Sequence, residues 1–177
     1  MDASGAKKIM ILGGYGTFGK RLSMTLAGQH VPIIIAGRHK SSATCLQRTI
    51  KRKHGKASVD IAVFDVDQDL SEQLESLKPY IVINTCGPFQ GKHYSVAATC
   101  ITHGTHYIDL SDARDYVAHI TNLDAQAKAN KVSVISGAST VPGLSSAVLA
   151  HYKDHFKQID SLVYGITPGQ KTERGLA

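Results

Sequence analysis

The amino-acid sequence predicts an α/β protein built on one doubly wound parallel sheet. Strand-like apolar runs alternate with helix-like segments along nearly all of the 177 residues, which is typical of parallel strands covered by helices on both faces. A glycine-rich segment directly follows the first of these runs. A chain of this length can bury one proper core. The expected strand order is 3-2-1-4-5-6, the usual order for this topology.

The first half of the chain predicts three pairs of strand and helix. Short apolar, β-branched or alternating runs predict the strands Lys8–Leu12, Val31–Ala36 and Ser58–Phe64. The segments between and after them predict the helices Thr17–Ala27, Ser41–Lys53 and Asp69–Leu77. The first helix carries Phe18, Leu22 and Leu26 on one face. The second is polar and basic and closes at Gly55, and Pro79 follows the end of the third.

The second half continues the alternation. Its apolar runs predict the strands Ile81–Asn84, His106–Leu110 and Val132–Ser136, and a last strand Leu162–Ile166. Its periodic segments predict the helices Tyr94–His103, Ala113–Asn130 and Gly143–Phe156. Gly104 is placed to stop the first of these helices. The inward residues expected on the second are Val117, Ile120, Leu123 and Ala127, and the apolar stripe of the third is Leu144, Val148, Tyr152 and Phe156.

The net charge of +6 is unevenly distributed along the chain. No acidic residue occurs between Asp2 and Asp60, whereas that stretch contains eleven Lys or Arg residues. Such a positive field suits an anionic small ligand or a nucleic acid. The sequence has no recognised nucleic-acid motif and only 6% aromatic residues, so we expect no nucleic-acid partner. The run Lys51-Arg52-Lys53 has the alternative interpretation of a solvated helix face.

Composition argues against several other classes. No apolar run approaches the ~20 residues that span a bilayer, and the N-terminus lacks a signal-peptide pattern, so we expect a cytoplasmic protein with no membrane contact. Cys45, Cys86 and Cys100 are too few and too irregularly spaced for a disulfide framework or a zinc site. His151 and His155 have a metal-compatible spacing, but no H-E-x-x-H pattern accompanies them. We expect no metal site.

The strongest local signal is the G-x-G-x-x-G pattern at Gly14, Gly16 and Gly19, between a predicted strand and a predicted helix. The first glycine permits a tight turn, the second lets the backbone approach a pyrophosphate, and the third lets the helix pack closely on the strand. Free N–H groups at the helix start would face the anion with the positive end of the helix dipole. A glycine-rich turn without a ligand is the alternative. The cofactor-binding residues predicted in this segment are Gly14, Tyr15, Gly16, Thr17 and Phe18.

The end of the second predicted strand indicates which dinucleotide is bound. NAD-binding domains usually carry Asp or Glu there, to accept hydrogen bonds from the ribose 2′-hydroxyl. This chain has Arg38 instead, followed by Lys40 and Ser41. A guanidinium can bind two phosphate oxygens together, so NADP is favoured over NAD. Arg38 as an ordinary surface residue is the alternative.

Two further segments are expected to line the cofactor. Asp65 ends the third strand, where its carboxylate could accept a hydrogen bond from the adenine amine; a helix-capping or turn role is the alternative. The segment Asn84–Gly91 ends the fourth strand and is expected to run along the cofactor toward the nicotinamide, with Cys86, Gly87 and Pro88 as its predicted contacts. Cys86 could be a nucleophile, but no base is placed beside it by sequence, so a packing or contact role is favoured.

Four ordered motifs resemble the saccharopine dehydrogenase-like oxidoreductases. They are Gly13–Gly19, Asn84–Phe89, Gly104–Leu110 and Ala138–Ser146, and the resemblance extends from about Lys8 to the end of the chain. It implies a Rossmann-type domain that binds NADP(H), followed by a substrate and dimerisation domain. The corresponding boundaries are residues 1–157 for the dinucleotide domain and 158–177 for the start of the connection, which makes this the N-terminal part of a two-domain protein.

The resemblance also implies an activity, namely hydride transfer to or from a C=N or C=O carbon of an amino-acid-like substrate, in a homodimer when full length. Asp109, Ser111, Pro142 and Gly143 would then face the reacting end. No catalytic acid or base is assigned, and the 177-residue chain by itself is expected to bind cofactor with little or no turnover. The alternative function is a non-catalytic NADP(H)-binding redox sensor that acts through a protein partner.

Overall fold

The computed structural model describes residues 7–165 and 167. These residues form a six-stranded parallel sheet in the order β3-β2-β1-β4-β5-β6, which confirms the predicted fold class and strand order. The strands are β1 Ile9–Leu12, β2 Ile33–Gly37, β3 Val59–Val63, β4 Ile81–Asn84, β5 His106–Asp109 and β6 Val134–Ile135. Leu12 is in register with Ala36 on one side and Asn84 on the other. The carboxyl ends of the three central strands are therefore level at one edge of the sheet.

Helices connect the strands and cover both faces of the sheet. The helices among the described residues are α1 Thr17–Gly28, α2 Lys40–Lys53, α3 Val66–Leu77, α4 Ser95–Thr102, α5 Arg114–His119, α6 Asp124–Ala129 and α7 Ser145–Tyr152. Since successive side chains of a strand point to opposite faces, the sheet supports two cores. Met10 and Ile34 belong to one core, with Leu74 of α3, whereas Ile11 and Ile35 belong to the other, with Ile50 of α2.

The buried face of α1 overlaps only in part with the apolar face predicted from the sequence. Its buried residues are Gly19, Ser23 and Ala27, whereas Phe18 is 58% exposed. Small residues bring the helix axis close to the sheet, where larger side chains would not fit. Leu22 and Leu26 are partly buried and pack against the core, so the predicted face is wrong for Phe18 alone. Apolar periodicity gives most weight to large side chains and therefore does not mark the small residues beside them.

Three predicted elements in the second half of the chain need correction. The predicted helix Ala113–Asn130 is divided into α5 and α6 by a 3₁₀ turn at Ile120–Leu123. The predicted helix Gly143–Phe156 begins within a kinked segment, Thr140–Leu144, in which Val141 has extended backbone angles (φ −129°, ψ 125°), and it ends with a 3₁₀ turn at Lys153–His155. The predicted last strand is wrong over residues 162–165, which have no regular structure and no strand pairing, and Ile166 lies outside the described residues.

The apolar stripe of α7 remains uncovered in the described part of the chain. Leu144, Val148, Tyr152 and Phe156 are all exposed.

Across residues 7–165 and 167, we find no helix with both the length and the apolar character that a membrane crossing requires.

Candidate dinucleotide-binding site

A cleft of about 1290 Å³ opens at the carboxyl ends of the central strands. This is the edge at which open parallel sheets bind ligands. Nine of the ten residues predicted to bind cofactor line the cleft: Tyr15, Gly16, Thr17, Phe18, Arg38, Asp65, Cys86, Gly87 and Pro88. The tenth, Gly14, lies behind the turn and is buried.

The glycine turn is shaped by close contacts rather than by flexibility. Gly13 has a φ of +69°, and a Cβ there would lie 3.0 Å from both Thr85 Oγ1 and Cys86 Sγ. A Cβ on Gly14 would lie 2.9 Å from the Ile11 carbonyl oxygen. A Cβ on Gly19 would lie 2.8 Å from Gly14 Cα. The turn is thus packed between β1, α1 and the end of β4, with no room for side chains at these positions.

Two side-chain hydrogen bonds hold this turn in place. Ser23 Oγ of α1 donates to the Gly14 carbonyl oxygen over 2.9 Å, in a buried position. Thr85 Oγ1 donates to the Leu12 carbonyl oxygen over 2.7 Å. These bonds fix the turn to the helix that follows it and to the neighbouring strand.

The N-terminus of α1 opens into the cleft. Gly16 is the N-cap residue, no side chain among the described residues caps this end, and no acidic residue occurs in the first turn. The first N–H groups of a helix have no intrahelical partner and carry the positive end of its dipole. Thr17 and Phe18 line the cleft at this point, so their backbone N–H groups offer an anion site.

The end of β2 forms the second wall of the cleft, with Arg38 exposed between Gly37 and His39. The His39 N–H donates to Tyr15 Oη over 2.8 Å. A Cβ on Gly37 would lie 2.7 Å from Tyr15 Oη and Cε1. The glycine turn and the arginine loop are therefore in direct contact through one tyrosine side chain.

Asp65 is the N-cap of α3. Its Oδ1 accepts a hydrogen bond from the Asp67 N–H over 3.1 Å, and Asp69 Oδ2 accepts one from the Asp65 N–H over 3.2 Å. The two bonds cap the helix reciprocally, as in a capping box, but through the second and fourth residues of α3 rather than the third. The capping role that the sequence left open is thus present, while Asp65 and Asp67 both also line the cleft.

The end of β4 is ordered by Asn84, which is buried. Its Oδ1 accepts from the Cys86 N–H over 3.0 Å, and its Nδ2 donates to Tyr107 Oη over 3.2 Å. Desolvation by the surrounding protein raises the pKa of the Cys86 thiol to about 11, although the Arg38 charge acts to lower it and Asp67 acts to raise it further. The thiol is protonated at neutral pH, which agrees with a contact role rather than a nucleophilic one.

Asp109 and Ser111 are fully buried and do not line the cleft, and Asp109 Oδ2 has no hydrogen-bond partner among the described residues. Asp109 Oδ1 accepts hydrogen bonds from the Ser111 N–H, the Gly137 N–H and Ser136 Oγ, over 3.0, 3.0 and 2.8 Å. The Asp109 carboxylate therefore ties the ends of β5 and β6 together. The loop that follows β6 lines the cleft through Ala138, Ser139 and Thr140, a set that does not include Pro142 or Gly143.

Several residues of the cleft were missed by the sequence reasoning. Those with polar or ionisable side chains that had been given no role are His39, Asp67, Lys92, His93, Ser95, Asp112, Tyr116, Ser139 and Thr140. Asn84, Thr85 and Gln90 also line the cleft, and they belong to the segment that was expected to run along the cofactor. Burial raises the pKa of the Tyr116 phenol, and its ring lies 5.4 Å from that of Phe89 and 4.7 Å from that of Tyr94, measured between centroids. The available signal for these missed residues was their position in the segments that follow strands β2 to β6. Among the described residues, no three His, Cys, Asp or Glu side chains cluster closely enough to hold a metal ion.

The sheet order, the glycine turn and the cleft define a Rossmann-type dinucleotide-binding domain. The chain matches the saccharopine dehydrogenase NADP binding domain over residues 9–135 and belongs to that family. It is therefore an NADP-binding domain of an oxidoreductase family. Among curated proteins, none matches the sequence.

Solved structures with the same fold include several reductases. YwfH, an NADPH-dependent reductase involved in bacilysin biosynthesis, gives a TM-score of 0.55 at 14% identity, covering 75% of this chain and 71% of that one. A short-chain type dehydrogenase/reductase from Mycobacterium ulcerans gives 0.56 at 12% identity, covering 73% and 66%. L-sorbose reductase from Gluconobacter frateurii, complexed with NADPH and L-sorbose, gives 0.52 at 14% identity, covering 72% and 66%. At these identities the likeness is one of fold alone.

Proposed function

We propose that this chain holds NADP(H) across the cleft and presents it for hydride transfer to or from a C=N or C=O carbon of an amino-acid-like substrate. The observation that carries the proposal is the continuity of the cleft. One surface runs from Arg38, past the uncapped start of α1, to the loop after β6.

The diphosphate is assigned to the mouth of α1. The backbone N–H groups of Thr17 and Phe18 would donate to its oxygens, and Gly16 leaves the approach free of a side chain. The close packing of Gly14 and Gly19 supports this assignment, because it fixes the turn at the mouth of the helix. Acidic residues are missing from the first turn of α1, so no carboxylate opposes an anion there.

The adenosine half is assigned to the loops after β2 and β3. Arg38 would bind the 2′-phosphate, since a guanidinium donates two parallel hydrogen bonds to phosphate oxygens. Asp65 would accept from the adenine amine through the oxygen that is not needed for capping. Asp67 lines the same part of the cleft. Because its carboxylate would repel the phosphates, we place it beside the adenine rather than beside a phosphate.

The nicotinamide half is assigned to the loop Cys86-Gly87-Pro88 and to the cleft residues Tyr116, Ser139 and Thr140, which follow β5 and β6. NADP(H), when bound, would supply or accept the hydride. The amino-acid-like substrate is inferred from the family to which the chain belongs. Ser139 and Thr140 offer hydroxyl groups that could donate to a substrate carboxylate.

The remaining parts of the proposal concern the whole protein. Residues 1–157 would be the dinucleotide domain and 158–177 the connection into a substrate and dimerisation domain, with the full-length protein a cytoplasmic homodimer. The exposed apolar stripe of α7 supports this division, because a second domain or a second subunit would bury that face in the complete protein. The alternative of a redox sensor acting through a protein partner stays a prediction without a supporting contact.

The cofactor claim is tested by titrating the chain with NADPH and NADH and following nucleotide fluorescence. We expect tighter binding of NADPH, and we expect Arg38→Ala to weaken NADPH by about tenfold to a hundredfold, since hydrogen bonds to charged groups contribute roughly 1.5–3 kcal/mol. Arg48→Ala is the matched control, because that exposed arginine lies on α2 outside the cleft. Equal loss of NADPH and NADH on Arg38→Ala would refute the phosphate assignment.

The substrate claim needs a separate assay, on the longest polypeptide that the natural gene encodes. NADPH oxidation is followed with an aldehyde plus an amino acid, and with the aldehyde alone. Faster oxidation with both reactants supports C=N reduction. Equal rates would point to a carbonyl substrate, and absence of oxidation with any carbonyl or imine would contradict the enzymatic role.

A further inference from the structure

We infer that Tyr15 is a positioning residue that sets the preference of this chain for NADP(H) over NAD(H), by holding the Arg38 loop against the diphosphate turn. The inference rests on the proposed function and assigns a role that the glycine motif does not require, because the motif leaves this position free. Tyr15 was predicted only as one of several residues that touch cofactor.

The first support is the bond between Tyr15 and the backbone of the arginine loop. The His39 N–H donates to Tyr15 Oη over 2.8 Å, joining residues that are 24 positions apart. His39 is also the N-cap residue of α2, and its carbonyl oxygen accepts from the Ala43 N–H over 3.1 Å. The tyrosine hydroxyl therefore holds the point at which the chain turns from β2 into α2.

The second support is the space that Gly37 leaves for the tyrosine ring. A Cβ on Gly37 would lie 2.7–2.8 Å from Tyr15 Cε1, Oη and Cζ. Real Cβ atoms do not approach other heavy atoms so closely, so a side chain at Gly37 would displace the ring. The loop thus carries glycine on one side of Arg38 and the bonded His39 on the other.

The arrangement has a consequence for specificity. Arg38 has no hydrogen-bond or ion-pair partner among the described residues, so its direction depends on its backbone. That backbone is held by Tyr15 at both neighbours, and by the Gly14 N–H, which donates to the Ala36 carbonyl oxygen over 3.2 Å. A long flexible side chain loses rotamer freedom when it binds phosphate. A backbone that is already fixed lowers this entropy cost, because only the side-chain torsions remain to be ordered.

The test is Tyr15→Phe, which keeps the ring over Gly37 and removes the hydrogen bond to His39. We expect NADPH affinity to fall about fivefold, the equivalent of one ordinary hydrogen bond of roughly 1 kcal/mol, with NADH affinity changed less than about twofold. Tyr80→Phe is the matched control. Tyr80 is exposed at the start of β4, at the opposite edge of the sheet, and its hydroxyl has no partner in the described part of the chain.

A double-mutant cycle with Arg38→Ala separates positioning from general structure. If Tyr15 acts through Arg38, Tyr15→Phe costs NADPH affinity in the parent chain and little in the Arg38→Ala background. Gly37→Ala disturbs the same contact, because its Cβ would displace the ring and its φ of +158° strains any side chain there, and its NADPH-to-NADH ratio should fall as well. Melting temperatures without nucleotide show whether each variant is folded.

The outcomes are distinguishable from those of the cofactor proposal. Failure of the parent chain to bind NADPH defeats the proposed function. Normal NADPH binding with an unchanged NADPH-to-NADH ratio in both Tyr15→Phe and Gly37→Ala defeats the role of Tyr15. Additive losses in the Tyr15→Phe, Arg38→Ala double variant defeat it too, because they show that the tyrosine does not act through the arginine.

Discussion

Ser23 and Gly14 are joined by a buried hydrogen bond, 2.9 Å from the serine Oγ to the glycine carbonyl oxygen. The bond fastens the second turn of α1 to the glycine turn that precedes the helix. It explains why a polar residue occupies the buried face of α1, and it couples the position of the helix mouth to the packing of the helix.

Ser23→Ala tests that coupling. We expect the free energy of unfolding to fall by about 1–3 kcal/mol, because the buried Gly14 carbonyl oxygen loses its side-chain donor. NADPH affinity should fall with it, since the turn is no longer fixed at the helix mouth. Chemical denaturation and nucleotide titration measure the two effects. Thr25→Ala is the control, since Thr25 Oγ1 donates to Arg21 O on the exposed side of the same helix.

Gly19→Ala tests the close packing of α1 on the turn. The added Cβ would lie 2.8 Å from Gly14 Cα, a backbone atom that cannot move without opening the turn. We expect a destabilisation of about 1–3 kcal/mol from overpacking and a loss of NADPH binding. Gly55→Ala has open space around its Cβ and serves as the control. Normal nucleotide binding by Gly19→Ala would show that the turn tolerates a wider separation.

Asp65 offers a way to separate helix capping from nucleotide contact. Asp65→Ala should cost about 1 kcal/mol of stability, since an N-cap is lost. Asp65→Asn should keep most of that stability, because an amide oxygen can accept the same bond from the Asp67 N–H. If Asp65 also accepts from adenine, both variants lose NADPH affinity. Affinity that follows stability alone would restrict Asp65 to capping.

The thiols should differ in their reactivity with iodoacetamide. The pKa of Cys86 is raised from 9.0 to about 11 by desolvation, so the reactive thiolate is scarce at pH 8 and its fraction grows about tenfold per pH unit until the pH reaches the pKa. Alkylation at Cys86 should therefore keep rising between pH 9 and pH 11. Peptide mass mapping resolves it from Cys45 on α2; both side chains are exposed, so a difference in rate reflects the thiol pKa rather than access. Rapid modification of Cys86 at pH 7 would contradict a protonated thiol.

The raised pKa also has a consequence for stability. When the pKa of a group is higher in the folded state than in the unfolded state, the free energy of unfolding falls as the pH rises between the two pKa values. The contribution of Cys86 is present below the unfolded pKa of 9.0 and is lost as the pH rises through about 11. Cys86→Ser should therefore flatten the alkaline limb of the stability profile, measured by thermal unfolding between pH 8 and pH 11.

The sheet could be predicted from the sequence because its signals are local. Runs such as Ile33–Ile35 have few alternatives to a buried strand, and the crossover rule for parallel strands restricts their order. The glycine turn was equally local, since its neighbours in sequence are its strand and its helix. The cleft residues on these loops followed from the rule that ligands bind at the carboxyl ends of strands.

Other features depend on contacts between distant residues and could not be predicted. The Tyr15–His39 bond joins two loops whose separation is set by the sheet. The buried face of α1 carries small residues, for which hydrophobic periodicity has no signal. Asp109 was placed at the reacting end, yet its carboxylate binds three groups around the ends of β5 and β6. A polar residue at the end of a strand can equally order the loops beside it.

The most direct test of the account is a crystal structure of this chain in complex with NADPH. We expect diphosphate oxygens within hydrogen-bond distance, about 2.7–3.2 Å, of the Thr17 and Phe18 backbone nitrogens, and the 2′-phosphate on the Arg38 guanidinium. A nucleotide bound elsewhere, or a diphosphate kept from the start of α1 by a side chain, would contradict it.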